Sequence, residues 1–360
     1  VGAEALLIGV GADLLYLTGY LAMPLERLTM LVVPRSADPF LVAPALEAMR
    51  AGSSPAARAG AVEVVPWQET DNPHQLIAQR ITRGAPARRR ALVNPTLWAS
   101  HVLPLQAELG KDWSLGLATP VLGPLRMVKD PEEVELLRLA AEAADRALRA
   151  IAEGRLIGRS EHDVSREVRA RLIDEGHDEG LFAIVASGPN AASPHHEPGD
   201  RAIQAGEPVV LDIGGALGGY ASDTTRTIWV AGTGGNGPDE EFRRIHELVR
   251  RASEQATAAV KPGARCEAVD AVARRVIAEG GYGPRFIHRV GHGIGLEGHE
   301  EPYLVGGSPA VLAPGTSFSI EPGIYLEGRY GVRIEDIVVC GDSGPIVLNA
   351  LPRDLWVVEG

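Results

Sequence analysis

Two aspartates on either side of a glycine-rich turn are the first residues whose spacing suggests chemistry. The segment 208–227 reads PVVLDIGGALGGYASDTTRT, and its two β-type runs joined by paired glycines predict a β-hairpin. With a turn centred on Leu217 and Gly218, Asp212 and Asp223 face each other across the strands. Carboxylates directly opposite on neighbouring strands repel one another. A metal ion between them is the simplest way to hold the pair, and a solvated aspartate in another register is the alternative.

A second hairpin with two facing acids is predicted later in the chain. The run GTSFSIEPG, set on GEPVVLDIG of the first hairpin, places Glu321 on Asp212, and GVRIE set on GYASD places Glu335 on Asp223. Glu321 and Glu335 also face each other across a turn near Gly328. Two hairpins with acids at equivalent positions indicate an internal duplication, which brings four carboxylates to one point between the halves.

Four converging carboxylates suit two divalent cations that share oxygen ligands. Two ions about 3.5–4 Å apart activate a bridging water and polarise a carbonyl group. The segment RVGHGIGLEGHE adds His292, which lies between glycines, and His299, while His195 precedes His299 by 104 residues. A single histidine is ordinarily a core or surface residue, but three in glycine- and proline-rich loops beside paired acids favour a site. One or two imidazoles move the metal preference towards Mn, Co or Zn.

The composition excludes some classes of partner. The 360 residues include 35 basic and 47 acidic side chains, a formal net charge of −12. Nucleic acids and anionic membranes select basic surfaces, so neither is expected as a partner. Cys266 and Cys340 form neither a disulfide framework nor zinc-site spacing. No apolar run approaches the roughly 20 residues of a membrane span, and no basic leader precedes the apolar N-terminus, so we expect a soluble cytoplasmic protein.

Strand and helix patterns predict two domains, residues 1–124 and 125–360. The first alternates short β-type runs with helical ones, which indicates a small α/β domain. A hinge is expected at residues 119–124. The second domain runs as two helices followed by strands, twice over, and its first helix begins with an Asp130 cap and Pro131.

The segments SGPNAASPHH, LDIGGALGGYASDTTRT, HRVGHGIGLEGHE, SIEPGIY and GVRIED, in this order, resemble the pita-bread metallopeptidases. The branch they resemble is the Xaa-Pro branch of prolidases and aminopeptidase P. The resemblance covers residues 125–360 strongly and residues 1–124 weakly, as a creatinase-type N-terminal domain. It implies an α+β pita-bread fold with an internal pseudo-twofold duplication, preceded by a smaller α/β domain.

The resemblance also assigns the metal ligands. It implies that Asp212, Asp223, His292, Glu321 and Glu335 hold two divalent ions, with Mn expected and Co or Zn as alternatives. Asp223 and Glu335 would be shared by the two ions. Asp212 would complete one ion, and His292 with Glu321 the other.

Further roles follow from the same resemblance. His195 and His299 would position the scissile carbonyl group and stabilise the tetrahedral intermediate, and Glu321 would act as general base. Tyr220 and Arg333 are expected to orient the metal-binding carboxylates from outside the ligand set. The alternative is that both are ordinary strand residues beside the site.

The substrate end of the site departs from the prolidase pattern. Several prolidases carry an Arg shortly after the His-Glu pair, where it suits the free carboxylate of a dipeptide. Here that place reads Glu301-Pro302-Tyr303. The pair Glu26 and Arg27 is an alternative source of both charges, across a dimer interface, unless it is a solvated surface pair.

The resemblance predicts a metallopeptidase that cleaves Xaa-Pro bonds at the N-terminus of short peptides, with dipeptides favoured. A homodimer is usual in that family and is expected here. The alternative within the branch is an aminopeptidase P that acts on longer peptides. Methionine aminopeptidase and metal-free creatinase fit the motifs less well. From another class, a non-catalytic pita-bread module that binds proteins is disfavoured because none of the five ligands is missing.

Overall fold

The computed structural model describes residues 2–82, 89–232, 234 and 237–360. The chain forms two compact units, Val1–Arg126 and Met127–Gly360. No helix among the described residues combines the length and apolarity needed to cross a membrane.

The N-terminal unit is a six-stranded mixed sheet in the order β4-β3-β2-β1-β5-β6. Its strands are β1 (Ala5–Gly9), β2 (Met30–Pro34), β3 (Phe40–Pro44), β4 (Glu63–Trp67), β5 (Arg89–Val93) and β6 (Trp113–Leu117). Its helices are α1 (Ala12–Thr18), α2 (Ala48–Gly52), α3 (Pro55–Arg58), α4 (Pro73–Thr82), α5 (Ala99–Leu109) and α6 (Thr119–Met127). Alternate strand residues point to opposite faces, so Leu7 packs with Ile77 and Leu105 while the adjacent Ile8 packs with Leu14. Both faces are therefore covered, as in an α/β domain.

The hinge predicted at residues 119–124 is wrong, because this segment lies in helix α6. Pro120 occupies the first turn, where its missing N–H costs nothing, and the amides of Val121 and Leu122 donate to the Ala118 carbonyl at 2.8 and 3.0 Å. The side chain of Leu122 is buried in the core. The hydrogen bonds to Ala118 and the burial of Leu122 stabilise a helix where a hinge is expected.

The second unit repeats a helix pair followed by a sheet. Its helices are α7 (Pro131–Ala152), α8 (Glu161–Asp174), α9 (Glu240–Ala258) and α10 (Cys266–Glu279). Its strands are β7 (Glu179–Ser187), β8 (Glu207–Leu217), β9 (Tyr220–Ala221), β10 (Thr224–Val230), β11 (Gly291–Gly293), β12 (Glu300–Leu304), β13 (Ser317–Ile320), β14 (Gly323–Leu326), β15 (Tyr330–Arg333), β16 (Asp336–Cys340), β17 (Pro345–Val347) and β18 (Trp356–Val358). The strand orders are β18-β10-β8-β7, with β9 beside β8, then β12-β11-β13-β16-β17, and the hairpin β14-β15.

Helix α7 begins as predicted. The carboxylate of Asp130 accepts hydrogen bonds from the amides of Glu132 and Glu133, and Glu133 accepts one from the Asp130 amide, with Pro131 as the first helical residue. This capping box satisfies orphan donors at the helix start.

The first hairpin forms, but its register differs from the prediction. Gly218 (φ 58°) and Gly219 (φ 87°) make the turn, because a two-residue hairpin turn of this type needs two positive φ angles. The turn is therefore one residue later than expected, and Asp212 pairs with Thr225 rather than with Asp223. The second hairpin has the predicted register, since Gly323 pairs with Arg333 and the turn contains Gly328.

Strand alternation aims Asp212 away from the first helix pair. The side chains of Val209, Leu211 and Ile213 pack in the core beneath α7 and α8. Val210 belongs instead to the core of the second half, on the opposite face of β8. Asp212 shares that face, so its carboxylate points towards the second half.

Burial also makes one histidine of α9 sensitive to pH. His246 is 3% exposed and packs beside Phe242, with ring centroids 6.4 Å apart. Burial lowers the pKa of His246 from 6.5 to about 4. The unfolded chain therefore binds this proton more readily than the folded chain.

We expect the free energy of unfolding to fall as the pH drops from about 6.5 to about 4. The contribution of His246 is complete above pH 6.5 and is lost on acidification, by up to about 3 kcal/mol. His246→Leu should flatten part of this pH dependence, whereas His162→Leu, at an exposed position, should not. Urea unfolding in excess chelator across this pH range measures the slopes. Equal slopes for the wild type and both variants would contradict the expectation.

Candidate metal centre

Four acidic side chains reach one place from the two halves of the second unit. Asp212 lies within β8, and Asp223 occupies the break between β9 and β10. Glu321 lies between β13 and β14, and Glu335 between β15 and β16. The amide of Glu335 donates to the Thr225 carbonyl at 3.0 Å, which joins the two hairpins at the acids themselves. The duplication thus places equivalent breaks of the two halves side by side.

The candidate ligand atoms converge to within 4.8 Å of one another in three overlapping groups. The groups are Asp212, Asp223 and Glu335; His292, Glu321 and Glu335; and Asp223, His292 and His299. The Nε2 atom of His292 lies 3.4 Å from Glu321 Oε1 and 3.6 Å from Asp223 Oδ2. We name Asp212, Asp223, His292, Glu321 and Glu335 the acid cluster.

The residues present fit divalent cations. Asp212 Oδ1 and Glu335 Oε1 are buried oxygens without a hydrogen-bond partner among the described residues. A buried, unpartnered polar atom is costly unless something satisfies it. Oxygen-rich ligands with one imidazole suit Mn, Co or Zn. Cations in the acid cluster would satisfy both atoms.

Without a cation, the carboxylates cannot all ionise. Burial, followed by the charge of Glu335, raises the pKa of Asp223 and that of Glu321 well above their ordinary values. Burial, followed by the charge of Asp212, raises the pKa of Glu335 to about 7. The repulsion predicted for two facing aspartates therefore exists among all four acids.

His292 is held in the form that binds a metal. Burial, followed by the neighbouring His299, lowers its pKa to about 3, so the imidazole is neutral at pH 7. Its Nδ1 lies 3.1 Å from the Gly293 carbonyl oxygen, which places the ring proton on Nδ1. The lone pair of Nε2 is then directed at Asp223 and Glu321.

Glycines on both sides of His292 allow this close approach. A Cβ atom on Gly291 would overlap the backbone carbonyl of Ser319, and one on Gly293 would overlap the carbonyl of Glu301. Strand β11 runs between β12 and β13 at these points. Only glycine lets the neighbouring strands pack this closely around the imidazole.

Arg333 stabilises the acid cluster through a hydrogen-bonded ion pair with Asp212. Its guanidinium donates to Asp212 Oδ2 at 2.5 Å, to the Tyr325 hydroxyl at 2.8 Å and to Thr225 Oγ1 at 3.2 Å. The Tyr325 hydroxyl also lies 2.9 Å from His288 Nε2. Arg333 therefore contacts the carboxylate of Asp212, and Tyr325 and His288 belong to the same hydrogen-bond network.

A cavity of about 380 Å³ opens onto the acid cluster. Leu181, Phe182 and Ile184 form an apolar wall, while His195 and His299 lie among the polar residues that line it. The rings of His299 and His292 stack with centroids 3.7 Å apart. Partial burial, followed by the charge of Arg289, lowers the pKa of His299, so its imidazole is neutral at pH 7.

The loop that carries His195 is held by a buried carboxylate that the sequence did not reveal. Glu161, at the start of α8, is fully buried and accepts hydrogen bonds from the Ser187 amide (2.7 Å) and hydroxyl (2.6 Å) and from Asn190 (3.0 Å). His196 Nε2 lies 2.8 Å away. Burial alone would raise the pKa of Glu161, but these contacts outweigh it and lower the pKa.

The strand after His299 is held in a comparable way. Lys129 Nζ lies 2.5 Å from Glu300 Oε1, and both side chains are buried. A Cβ atom on Gly295 would meet both of these side chains, so the pair sits in a tight space. Nothing in the spacing of Lys129 and Glu300 along the chain indicates this contact.

The remaining predicted residues lie outside the acid cluster. The Tyr220 hydroxyl donates to Glu133 of α7 at 2.6 Å. Tyr303 lies in β12 opposite His292, and the Arg289 guanidinium lies over its ring. In the N-terminal unit, Arg27 pairs with Glu26 at 2.9 Å and with Glu69 at 2.6 Å.

Comparisons with known proteins agree with the predicted resemblance. A model of metallopeptidase family M24 matches residues 135–342, and a model of the creatinase/prolidase N-terminal domain matches residues 1–128. The chain is 44% identical over 358 residues to a probable dipeptidase PepE of Mycobacterium tuberculosis, covering 99% of this chain and 92% of that protein.

Two further similarities are to proteins named for Xaa-Pro cleavage. An Xaa-Pro dipeptidase of Lactobacillus helveticus is 36% identical over 346 residues, covering 95% of this chain and 92% of that protein. The crystal structure of a prolidase from Thermococcus sibiricus superposes with a TM-score of 0.91 at 37% identity, covering 99% of this chain and 95% of that chain.

Gly291→Ala should destabilise the folded protein by about 1–3 kcal/mol or more, because the added methyl group meets the Ser319 backbone rather than a movable side chain. Gly306→Ala is the matched control, since a Cβ atom there meets nothing within 4 Å. Urea unfolding of the metal-free proteins measures the difference. Equal stability of the two variants would show that β11 tolerates a side chain at this position.

Glu161→Gln should loosen the His195 loop without removing metal. Loss of charge-assisted hydrogen bonds is expected to raise hydrogen exchange of residues 187–199 by about 10- to 100-fold, with unchanged metal content. Glu167→Gln alters a surface ion pair of the same helix and serves as the control. Unchanged exchange in the Glu161 variant would refute the bracing role.

Proposed function

The chain belongs to metallopeptidase family M24, and on that premise we propose that it hydrolyses the Xaa-Pro bond of short peptides, with dipeptides favoured. The observation that carries the proposal is the acid cluster at the floor of the cavity. Two of its buried oxygens have no partner among the described residues, and its imidazole is neutral. Such a site is built for cations that act on a bound substrate.

Two divalent ions are the proposed cofactors, with Mn expected and Co or Zn as alternatives. Asp212, Asp223 and Glu335 would hold one ion, and His292, Glu321 and Glu335 the other, with Asp223 also shared. When bound, the ions supply Lewis acidity to a water nucleophile and to the scissile carbonyl group.

The side chains around the cluster supply proton transfer and orientation. Glu321, at the edge of the cavity, accepts the proton of the attacking water and returns it to the proline nitrogen as the peptide bond breaks. His299, whose imidazole is neutral, and His195, which lines the same cavity, would donate N–H hydrogen bonds to the carbonyl oxygen as negative charge develops there.

The cavity supports a small, partly apolar substrate. Its volume of about 380 Å³ falls in the range of small-molecule pockets. Leu181, Phe182 and Ile184 offer an apolar surface suited to a pyrrolidine ring. The relatives named as dipeptidases support the preference for two-residue substrates. An aminopeptidase P activity on longer peptides is the alternative, and a non-catalytic binding module is not favoured because the ligand set is complete.

The homodimer stays a prediction. Its support in the N-terminal unit is a set of large apolar side chains left exposed, among them Leu21 (65%), Met23 (51%) and Met49 (90%). A second copy of the chain would cover such residues.

Removing the metal and restoring it tests the function. The chelator-stripped protein should be inactive, and Mn should restore cleavage of an Xaa-Pro dipeptide faster than that of an Xaa-Pro-Yaa tripeptide. Asp223→Ala should lose bound metal and lower kcat/KM by about a thousandfold, which corresponds to several kcal/mol of activation free energy. Asp342→Asn, on an exposed turn, should change neither.

Metal content by elemental analysis and product release by chromatography are the two readouts. Cleavage that does not depend on metal, or no cleavage of either peptide, would overturn the proposal. Faster cleavage of the tripeptide would favour aminopeptidase P instead.

A further inference from the structure

One arginine of the cavity wall has no carboxylate partner among the described residues. Arg289 lines the cavity with His292 and His299, and its side chain is partly buried. Within the part of the chain that the structure describes, no ion pair or side-chain hydrogen bond includes its guanidinium. A cation partly removed from water is normally paired, so this position indicates an anion that the chain itself does not supply.

Tyr303 holds the Arg289 guanidinium by a cation–π contact. The Cζ atom of Arg289 lies 4.3 Å from the centre of the Tyr303 ring. The ring face supplies no carboxylate oxygen, and a guanidinium can bind a carboxylate with two parallel hydrogen bonds. Tyr303 in turn is held by β12, where it pairs with His292 of β11.

The backbone on both sides of Arg289 is also fixed. The Val290 amide donates to Asp270 Oδ1 at 3.0 Å. Arg274, paired with Asp270, donates to the His288 carbonyl at 2.5 Å. The base of the Arg289 side chain is therefore rigid, which lowers the entropic cost of binding an anion.

Other arginines near the site or predicted for it are already engaged. Arg333 is 3% exposed and donates to Asp212. Arg27, in the N-terminal unit, is paired with both Glu26 and Glu69. Of these three, Arg289 alone combines a place in the cavity wall with a guanidinium that no carboxylate occupies.

The positive charge of Arg289 acts on two histidines of the site, His292 and His299. Together with burial, it lowers the pKa of His299 and contributes to the lowered pKa of His292. In a dipeptide, the terminal carboxylate lies one residue from the scissile carbonyl group, a span of at most about 3.6 Å. Arg289 lines the same cavity as His299, so a carboxylate this close to the scissile group shares that cavity with the guanidinium.

We propose that Arg289, stacked on Tyr303, binds the C-terminal carboxylate of the dipeptide and sets the preference for dipeptides over longer peptides. The inference rests on the proposed function. A tripeptide presents a neutral carbonyl group at the same place, so it forfeits the charge-assisted hydrogen bonds. Its added residue must also pass the guanidinium and the tyrosine ring.

The wild-type protein gives the first test without any substitution. The Mn-loaded enzyme is assayed with an Xaa-Pro dipeptide, the same dipeptide as its C-terminal amide, and an Xaa-Pro-Yaa tripeptide. The dipeptide should have a KM about 10- to 100-fold lower than that of the amide, the range expected for hydrogen bonds to a charged group. A KM for the amide equal to that of the dipeptide would overturn the role of Arg289.

Variants then locate the effect. Arg289→Gln should raise the KM of the dipeptide by about 10- to 100-fold while changing that of the amide little, and Arg289→Lys should restore part of the loss. Tyr303→Ala removes the ring beneath the guanidinium and should raise the KM of the dipeptide more than that of the amide. Arg275→Gln, at an exposed position of α10, is the matched control. Arg27→Gln tests the competing cation.

The outcomes separate this inference from the proposed function. If the wild type cleaves none of the three substrates, the proposed function fails, and the inference fails with it. If the wild type cleaves them and Arg289→Gln loses the same factor on dipeptide and amide, the hydrolase stands and the carboxylate role is refuted. A selective loss on the dipeptide in Arg27→Gln, but not in Arg289→Gln, would assign the carboxylate to Arg27 instead.

Discussion

Crowding of four buried carboxylates is the constraint on which the rest of the second unit depends. Two duplicated hairpins bring Asp212, Asp223, Glu321 and Glu335 so close that burial, followed by their mutual charge, keeps the pKa values of three of them raised. A fold that concentrates negative charge in this way is stabilised by cations, and those cations are what the family chemistry requires. Stability and function are therefore linked through the same repulsion.

The surroundings of the cluster keep that charge in place. Arg333 compensates one side of it, and the glycines beside His292 let backbone pack against the imidazole. Glu161 and the Lys129–Glu300 pair brace the segments that carry the two further histidines. Each brace is a buried, hydrogen-bonded charge, so the cavity walls are rigid before any substrate arrives. Rigid walls suit a small substrate that offers few contacts.

Local signals predicted much of this arrangement. The Asp130 cap, the glycine turns and the second hairpin follow from rules that act within a few residues. The first hairpin shows the limit of such rules, because choosing the turn one residue early moved the partner of Asp212 from Thr225 to Asp223. The hinge predicted at residues 119–124 fails for a related reason, since the segment is helical and the side chain of Leu122 is buried in the core.

The kind of chemistry follows from the amino-acid sequence, because residue types and their repetition already specify an oxygen-rich site with one imidazole beside two further histidines. Which cavity arginine lacks a carboxylate partner among the described residues depends on how the strands pack. Arg289 lies inside the segment HRVGHGIGLEGHE, where its residue type alone indicates no role. Tyr303 occupies the position at which several prolidases carry an arginine. The contact of Arg289 with Tyr303 depends on β12 packing beside β11, and no carboxylate of the described residues pairs with the guanidinium. Contacts between separate strands are set by packing, which spacing along the chain does not encode.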